Sequence, residues 1–429
     1  MSALLERLGS LVGPECVRAG ATADAIDGVT PTAFVSPVEV EQVQALVRYA
    51  RAEKLALIPL GSGTKQCFSA PPSRFDLALS SAQLTAVTDY DYDNLTIAAG
   101  AGATLAQLAP LLAERRQFLP FDGPFAAQAT LGGVAATNSM GAKRFAYKAP
   151  RDVVVGINVV LGTGEFIQAG GKVVKNVSGF DLNKLLVGSH GTLGFITSLT
   201  VRVAPQPERE AAVIALCESL TAATALAKRV LDSFLVPSAV VVFDRTTTQR
   251  ILGREAPCAL LVDFESVGVG VDQQTEQVMS WCNGERVEGA RLAKIWMEVN
   301  DFPFNQPASQ ATGQIVWKVA LPLEASADCI AVAHDCGAEC ETLAHYSTGL
   351  VLGSFMAGEE AQLIASFQRL RQQATTCGGR ALILGASPAI KRAVEVWGPT
   401  RSDFALMRGL KQAFDPDAVF SPGRFVGGL

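Results

Sequence analysis

The sequence has 429 residues, of which 49% are apolar and 18% are charged. Disordered chains combine low hydrophobicity with high charge, so this composition excludes that class and favours a globular protein of two or three domains. The 36 basic and 41 acidic side chains give a net charge of −5, which leaves no basic excess for general nucleic-acid binding.

Targeting and membrane signals are not expected in this chain. Charged residues interrupt the N-terminal stretch where a leader would need an apolar run, and the longest apolar runs are too short to span a bilayer. Nine scattered cysteines without a Cys-x-x-Cys pair favour a reducing compartment. We therefore expect a cytoplasmic protein, which would reach the inner membrane only through partners.

The first half of the chain predicts alternating helices and strands. Val40, Val43, Leu46, Val47 and Ala50 have the spacing of one buried helix face. Short apolar runs bounded by turn residues predict buried strands. These strands cover residues 55–60, 75–79, 95–99, 153–161 and 195–203.

A linker divides the sequence near residue 207. Pro205 and Pro207 cannot both continue a helix or a central strand, so a domain boundary is expected there. Beyond it we predict a second α/β unit with a mixed or antiparallel sheet and helices on one face. Its predicted strands are residues 211–216, 239–243, 259–264, 315–320, 349–355 and 380–384, and one of its predicted helices is 221–234. The last stretch, from residue 398 onward, has its own predicted helix, 403–414.

Four glycine-rich segments lie in the first 200 residues: 59–64, 99–104, 130–141 and 188–194. Glycine lets the backbone approach a ligand closely, and successive N–H groups in such turns form anion sites. Each segment alone is typical of a tight turn, but four together indicate a cradle for a diphosphate. Neither Gly-x-Gly-x-x-Gly nor the P-loop pattern occurs, which disfavours an ordinary Rossmann or P-loop site.

The order of these segments resembles the flavin-binding domain of the vanillyl-alcohol-oxidase and p-cresol-methylhydroxylase (PCMH) superfamily. The resemblance covers about residues 32–205. It rests on the loop 59–64, the Thr-Leu-Gly-Gly loop of 130–141, and the segments 151–153, 175–182 and 188–194.

Within that superfamily the chain is most similar to the FAD-binding subunits of bacterial glycolate oxidases. The segments 397–399, 406–408, 414–416 and 421–425 resemble that family's C-terminal end. The resemblance implies an α+β chain with a PCMH-type, two-subdomain FAD-binding domain in 1–207. A cap domain would follow in 208–397, and 398–429 would return to the FAD domain.

The resemblance also implies a set of FAD-binding residues. No His or Cys stands beside the two glycines of the first loop, so we expect non-covalent FAD. Relatives often place Glu at the position of His190, which is expected to contact FAD instead of acting as a base. The expected set is Pro59, Leu60, Gly61, Ser62, Gly63, Thr64, Thr130, Leu131, Gly132, Gly133, Ala136, Thr137, Asn138, Gly141, Arg144, His190, Gly191, Gly194, Ile196 and Arg424.

Two residues of the cap are the candidates for catalysis. His345 is the candidate base, because the family places this segment near the flavin; the alternative is a structural cap histidine. Lys318 would contact a substrate carboxylate, where relatives often carry Arg. The His-rich segment of self-sufficient relatives is reduced here to residues 344–349, so we expect no metal site. Arg144 and Arg424 would supply positive charge, unless they are ordinary surface arginines.

Two functions follow from the resemblance. The first is oxidation of a small 2-hydroxy acid, glycolate to glyoxylate or D-lactate, with electrons passing through the flavin to a partner. The second is a non-catalytic FAD-carrying subunit of a glycolate oxidase complex. Either would assemble with a catalytic flavoprotein and an iron–sulfur subunit, and a scaffold that has lost FAD is a third alternative.

Overall fold

A computed structural model describes residues 2–171, 181–304, 313–356 and 358–429. The predicted flavin-domain segment 175–182 therefore lies mostly outside the described residues. None of the helices within these ranges has both the length and the apolar character needed to cross a bilayer.

The N-terminal part forms a four-stranded sheet in the order β1-β2-β4-β3. Strand β1 pairs antiparallel with β2, whereas β4 lies parallel to both β2 and β3. The predicted helix face of residues 40–50 packs on this sheet, since Val43, Leu46 and Val47 are buried in its core. The elements are α1 (Ser2–Val12), β1 (Val17–Ala19), β2 (Ala33–Val35), α2 (Val40–Ala52), β3 (Leu57–Leu60) and β4 (Leu77–Ser80).

A second, five-stranded sheet has the order β5-β6-β10-β8-β9, and all its pairings are antiparallel. The predicted strands of this half agree with the observed ones to within two residues. The elements are β5 (Val87–Asp91), β6 (Thr96–Gly100), α3 (Leu105–Ala113), β7 (Gln117–Phe118), α4 (Leu131–Thr137), α5 (Arg144–Tyr147), α6 (Pro150–Val153), β8 (Val154–Leu161), β9 (Phe166–Gly170), α7 (Asn183–Leu186), β10 (Gly194–Arg202) and β11 (Ala204–Pro205).

Residues 209–386 supply an eight-stranded sheet in the order β15-β12-β14-β13-β17-β18-β16-β19. Every pairing is antiparallel, so of the two predicted sheet types the antiparallel one is present. The strands are β12 (Arg209–Cys217), β13 (Ala239–Phe243), β14 (Cys258–Ser266), β15 (Gly284–Glu288), β16 (Gln314–Ala320), β17 (Glu339–His345), β18 (Leu350–Met356) and β19 (Arg380–Ala386).

Helices cover both faces of this sheet, so the expectation of one covered face is wrong. Alternate residues of the strands belong to two hydrophobic clusters: Val213 points to one and Ile214 to the other. Since both sets of side chains are apolar, both faces need a covering layer. One face carries α8 (Leu220–Leu231), α10 (Gly268–Met279), α12 (Ser326–His334) and α13 (Glu360–Thr376); the other carries α9 (Arg245–Leu252) and α11 (Gly289–Asp301).

The C-terminal residues pack against the N-terminal sheet after α14 (Pro388–Ala393) and α15 (Phe404–Phe414). The Leu57 N–H donates to the Val419 carbonyl at 2.7 Å, and the Ser421 N–H donates to the Leu57 carbonyl at 2.8 Å. The buried Lys411 ammonium donates to the Thr192 and Phe420 carbonyls. The domain limits 1–207, 208–397 and 398–429 remain a prediction with which these contacts are compatible.

Candidate functional site: two adjoining cavities

The loops predicted to cradle a diphosphate converge on one cavity of about 710 Å³, here called the glycine cleft. It lies where β3, α4, β10 and the C-terminal segment meet. Most of the predicted cofactor residues line it. They are Pro59, Leu60, Gly61, Ser62, Gly63, Thr64, Thr130, Gly132, Gly133, Ala136, Thr137, His190, Gly191, Gly194, Ile196 and Arg424.

Glycine is required where two of these loops touch. A Cβ on Gly61 would lie 2.2 Å from the Thr130 Oγ1 atom, which itself accepts from the Gly133 N–H at 3.1 Å and caps α4. Gly191 has a φ of +68°, and a Cβ there would lie 3.1 Å from the Pro59 ring. These glycines therefore bring the backbone of three separate loops to one wall of the cleft.

The glycines at 100 and 102 have a different role from the one expected. A Cβ at these positions would collide with the backbone carbonyls of Leu84 and Ser81, respectively. Only Ala101 of that segment lines the glycine cleft. Close packing between neighbouring chain segments accounts for this glycine pair, so three of the four glycine-rich segments, and not all four, build the cavity.

Positive charge enters the glycine cleft from two buried side chains. Arg424 is 2% exposed; its Nη2 donates to the Gln66 carbonyl at 2.6 Å, whereas its Nη1 has no partner in the described structure. Burial lowers the pKa of Arg424 to about 10 and that of Lys65 to about 8, so both remain largely charged at neutral pH. None of the described residues lining the cleft is acidic, so the cleft is suited to an anion.

A second cavity of about 730 Å³, here called the cap pocket, lies between the loop after α4 and the eight-stranded sheet. Thr137 and His190 line both cavities, so the two adjoin. Five further predicted residues line the cap pocket: Asn138, Gly141, Arg144, Lys318 and His345. The first three were expected around the cofactor and the last two around the substrate.

Leu131 is the one predicted cofactor residue that lines neither cavity. Its side chain is 1% exposed and belongs to the hydrophobic core of the five-stranded sheet. It occupies the first turn of α4, and its N–H donates to the Ala103 carbonyl at 2.8 Å. The Leu131 side chain therefore packs on the sheet, whereas the glycines of this helix face the cleft, and the assignment of Leu131 to the cofactor remains a prediction.

His345 lies at the end of β17 and is 2% exposed. Neither of its ring nitrogens has a hydrogen-bond partner in the described structure. Burial, together with the charge of Lys318, lowers the pKa of His345 to about 4. The imidazole is therefore neutral at physiological pH, and it does not match a structural histidine whose polar atoms are satisfied.

Lys318 and Arg144 bring two cations to the cap pocket. Lys318 lies on β16 opposite Leu352 and Leu382 of the flanking strands, and burial followed by the charge of Arg144 lowers its pKa. Within the described residues, neither cation forms an ion pair with a carboxylate. An anionic group of a ligand would therefore find two uncompensated positive charges beside the unpartnered His345 ring.

His190 is held as a structural element between the two cavities. Its Nδ1 shares a hydrogen bond with the Ser69 Oγ at 3.1 Å, and its ring packs edge-on against Trp397 at 4.7 Å. Its φ is +53°, and burial followed by the charges of Lys318 and Arg424 lowers its pKa to about 3. A ring so weakly basic is unsuited to accept a proton near neutral pH.

Several lining residues have no counterpart among the predicted site residues. In the glycine cleft these include Lys65, Gln66 and Ser69, which directly follow the first loop and could have been found by extending that loop. The apolar part of the cap pocket has no local sequence signal, because separate strands and loops contribute to it. It consists of Phe68, Pro124, Met140, Phe302, Phe304, Leu350, Leu352, Leu382, Leu384 and Trp397.

A charged cluster near the cap pocket joins α5 to the eight-stranded sheet. The Lys143 ammonium lies 2.6 Å from Glu210, 2.8 Å from Glu265 and 3.5 Å from the fully buried Asp263. The three carboxylates have the proximity of a metal-ligand set. Lys143 already supplies a cation among them: burial lowers its pKa, but the neighbouring carboxyl groups raise it by more. Burial also raises the pKa of Asp263 well above its ordinary value.

Comparison with known proteins agrees with this geometry. Residues 31–170 match the family model described as FAD binding domain, and residues 397–425 match FAD linked oxidases, C-terminal domain. The glycolate oxidase subunit GlcD of Bacillus subtilis is 24% identical over 92% of this chain and 88% of its own length. The D-lactate dehydrogenase of Archaeoglobus fulgidus is 34% identical over 54% of each chain. The structure of p-cresol methylhydroxylase superposes with a TM-score of 0.76 at 16% identity, covering 99% of this chain and 96% of that one.

The fold and the two cavities define a flavoprotein with a PCMH-type FAD-binding domain, as the sequence predicted. The chain is similar over most of its length to a glycolate oxidase subunit, it contains a FAD binding domain, and FAD is its cofactor.

Proposed function

We propose that this chain takes part in the oxidation of a small 2-hydroxy acid, with FAD held in the glycine cleft and the substrate bound in the cap pocket. The observation that carries the proposal is the content of the cap pocket: Lys318 and Arg144 line it without a carboxylate partner among the described residues, and both ring nitrogens of His345 lack a hydrogen-bond partner there. The names of the relatives point to glycolate and D-lactate as the acids to test first.

The glycine cleft fits FAD by two independent features. Gly61 and Gly191 leave no room for a Cβ at the contacts between loops, and the unpartnered Arg424 Nη1 requires an acceptor. Backbone N–H groups of residues 61–64 and 132–133 would hold the diphosphate, with Arg424 adding charge. We expect non-covalent FAD, because Cys67 does not line the cleft and the His190 Nδ1 is engaged by Ser69.

The chemistry that FAD supplies when bound is acceptance of a hydride. Lys318 and Arg144 would hold the substrate carboxylate, and His345 would accept the proton of the hydroxyl group. Burial, followed by the charge of Lys318, lowers the pKa of His345, so a bound carboxylate that neutralises this lysine would remove the second cause and raise the pKa part of the way back. His345 would then become a better base when substrate is present than when it is absent.

The alternative is a subunit that carries FAD but does not oxidise the acid. One observation favours it: the pKa of His345, at about 4, makes the ring a weak base before any ligand binds. Either form is expected to work in a complex with a catalytic flavoprotein and an iron–sulfur subunit. The name of the relative GlcD, a glycolate oxidase subunit, supports an assembly of several chains. In both cases FAD would occupy the glycine cleft.

Anaerobic mixing of the purified yellow protein with glycolate and with D-lactate tests the proposal. Loss of the oxidised flavin absorbance on mixing supports catalysis by this chain, whereas protein that stays yellow with both acids supports the accessory role. Protein that neither retains FAD nor can be reconstituted with it would overturn both. Copurification from the native host would identify the flavoprotein and iron–sulfur partners.

A further inference from the structure

Three cysteines that are distant in sequence lie side by side at one end of the eight-stranded sheet. Cys217 is the last residue of β12, and Cys258 is the first residue of β14, directly opposite it in the antiparallel register. On the other side of β12, Gly284 pairs with Ala215, which places Cys282 beside the end of the same strand. None of the three lines the glycine cleft or the cap pocket.

The pair Cys217 and Cys258 has the backbone relationship that a disulfide requires. Facing residues of antiparallel strands have Cα atoms about 4.5 or 5.5 Å apart. Both spacings fall within the roughly 4.4–6.8 Å that a disulfide spans. The Cys258 Sγ also lies 3.5 Å from the Cys217 carbonyl oxygen. Side-chain rotation would therefore suffice to join the two sulfur atoms without moving either strand.

The two thiols differ in accessibility and in acidity. Cys217 is partly exposed, whereas Cys258 is fully buried. The interaction between the two neighbouring thiols lowers the pKa of Cys217 and raises that of Cys258. The thiolate, which is the reactive form, is thus favoured on the sulfur that a small oxidant can reach.

We propose that Cys217 and Cys258 form a redox modification site at which a hydroperoxide converts the dithiol into a disulfide. The Cys217 thiolate attacks the peroxide oxygen; the O–O bond breaks, an alcohol or water leaves after protonation, and Cys217 becomes a sulfenic acid. The Cys258 thiol then attacks the Cys217 sulfur and releases water. Overall, two thiols and one hydroperoxide yield one disulfide, one alcohol or water, and one water.

Cys282 is the alternative partner that the arrangement disfavours. Its Sγ points back to α10, where it donates to the Val278 carbonyl at 3.3 Å. Burial, followed by the nearby Cys217, raises the pKa of its thiol. Cys258 faces Cys217 directly in the strand register, whereas Cys282 lies before the first residue of β15 and is outside its described pairing with β12. The resolving thiol is therefore Cys258.

Thiol counting on the full-length protein tests the site. After removal of reductant, limited hydrogen peroxide should remove two of the nine thiols, and dithiothreitol should restore both. C217S and C258A should each abolish this paired loss. In C258A, which replaces a buried thiol with a small apolar side chain, the Cys217 sulfenic acid should accumulate and be trapped by dimedone. C377S removes a partly exposed thiol outside the pair and should behave as the wild type.

Peptide mapping of the wild type cannot tell whether Cys217 is joined to Cys258 or to Cys282, so it needs variants of these two cysteines. Cys258 and Cys282 share the tryptic peptide 255–286, whereas Cys217 lies in 210–228. C282S should keep the cross-link between these peptides, and C258A should lose it. A cross-link that persists in C258A, or a wild type that loses no more thiols than C258A, would overturn the proposal.

Discussion

The glycine cleft and the cap pocket adjoin, yet the chain builds them in different ways. The cleft is walled by backbone from three loops, and glycines such as Gly61 and Gly191 make the close approach possible. The cap pocket is walled by side chains from separate strands and loops, among them Lys318 and His345. The first cavity therefore depends on steric space, whereas the second depends on the placement of charge.

This difference separates what each cavity contributes to function. A backbone cradle recognises a diphosphate group that many substrates and cofactors share, and it tolerates little change in the loops themselves. Charged side chains such as Lys318 and Arg144 can discriminate among ligands by the position of a carboxylate. We therefore expect substitutions in the cleft to affect FAD retention, and substitutions in the pocket to affect the substrate.

The largest effect is expected at the charged cluster that joins α5 to the eight-stranded sheet beside the cap pocket. Lys143→Met would remove the cation shared by Glu210, Asp263 and Glu265, two of which face each other directly across β12 and β14. Removing one partner of a buried ion pair typically costs about 3–5 kcal/mol, because it leaves uncompensated charge. Chemical denaturation at neutral pH should show a loss of this size in the free energy of unfolding.

A matched lysine provides the control for Lys143. Lys228 forms an exposed ion pair with Asp232 at 2.9 Å, one helical turn away. Solvent screens such pairs, so Lys228→Met should leave the denaturation midpoint almost unchanged. Equal losses in K143M and K228M would contradict the view that the buried cluster holds the α5 segment against the eight-stranded sheet.

The sequence predicted the glycine cleft better than the cap pocket, because loops build the cleft whereas side chains from separate strands build the pocket. Glycine loops are local signals, and buried strands such as β8 are continuous apolar runs, so both can be recognised without tertiary contacts. Strand β17 was missed because its buried Glu341, held near Ser354 and Arg250, interrupts the apolar pattern. The side of α4 on which Leu131 would lie was not predictable, since it depends on the position of the five-stranded sheet.

The next prediction concerns the steric limit of the glycine cleft. Gly61→Ala would place a Cβ 2.2 Å from the Thr130 Oγ1 atom, so one of the two loops must move. Such overpacking costs up to about 3 kcal/mol, which corresponds to roughly a hundredfold weaker FAD binding. The ratio of flavin to protein absorbance after dialysis measures this loss.

Gly409 offers the control for Gly61. It lies within α15, and a Cβ there would meet no atom within 4 Å. Gly409→Ala should retain wild-type FAD content, because alanine is also the better helix former. Full FAD retention by G61A would show that the first loop can shift and that the cleft is not as sterically restricted as the contact indicates.

A smaller effect is expected from removing one cation in the cap pocket. Lys318→Met would remove a charge-assisted contact with the substrate carboxylate, typically worth about 2 kcal/mol, and so raise the KM by roughly thirtyfold. FAD content should not change, since Lys318 lines only the cap pocket. The exposed Lys294→Met is the control in anaerobic flavin-reduction assays. An unchanged KM in K318M would remove this residue from the proposed substrate contacts.

The smallest effect concerns the acid sensitivity that His345 gives to the cap pocket. Its pKa is about 4 in the folded chain and 6.5 ordinarily, so the unfolded chain binds a proton first as the pH falls. Stability therefore decreases with acidification between these values, by about 1 kcal/mol from this residue between roughly pH 7.5 and 5.5. His345→Gln should flatten this part of the stability profile, measured by denaturant titration at each pH.

Leu352→Met, which changes a non-titrating residue of the same pocket, should retain the wild-type slope. Parallel profiles for the wild type and H345Q would show that the imidazole is not buried in its neutral form, and would remove the basis for its activation by a bound carboxylate.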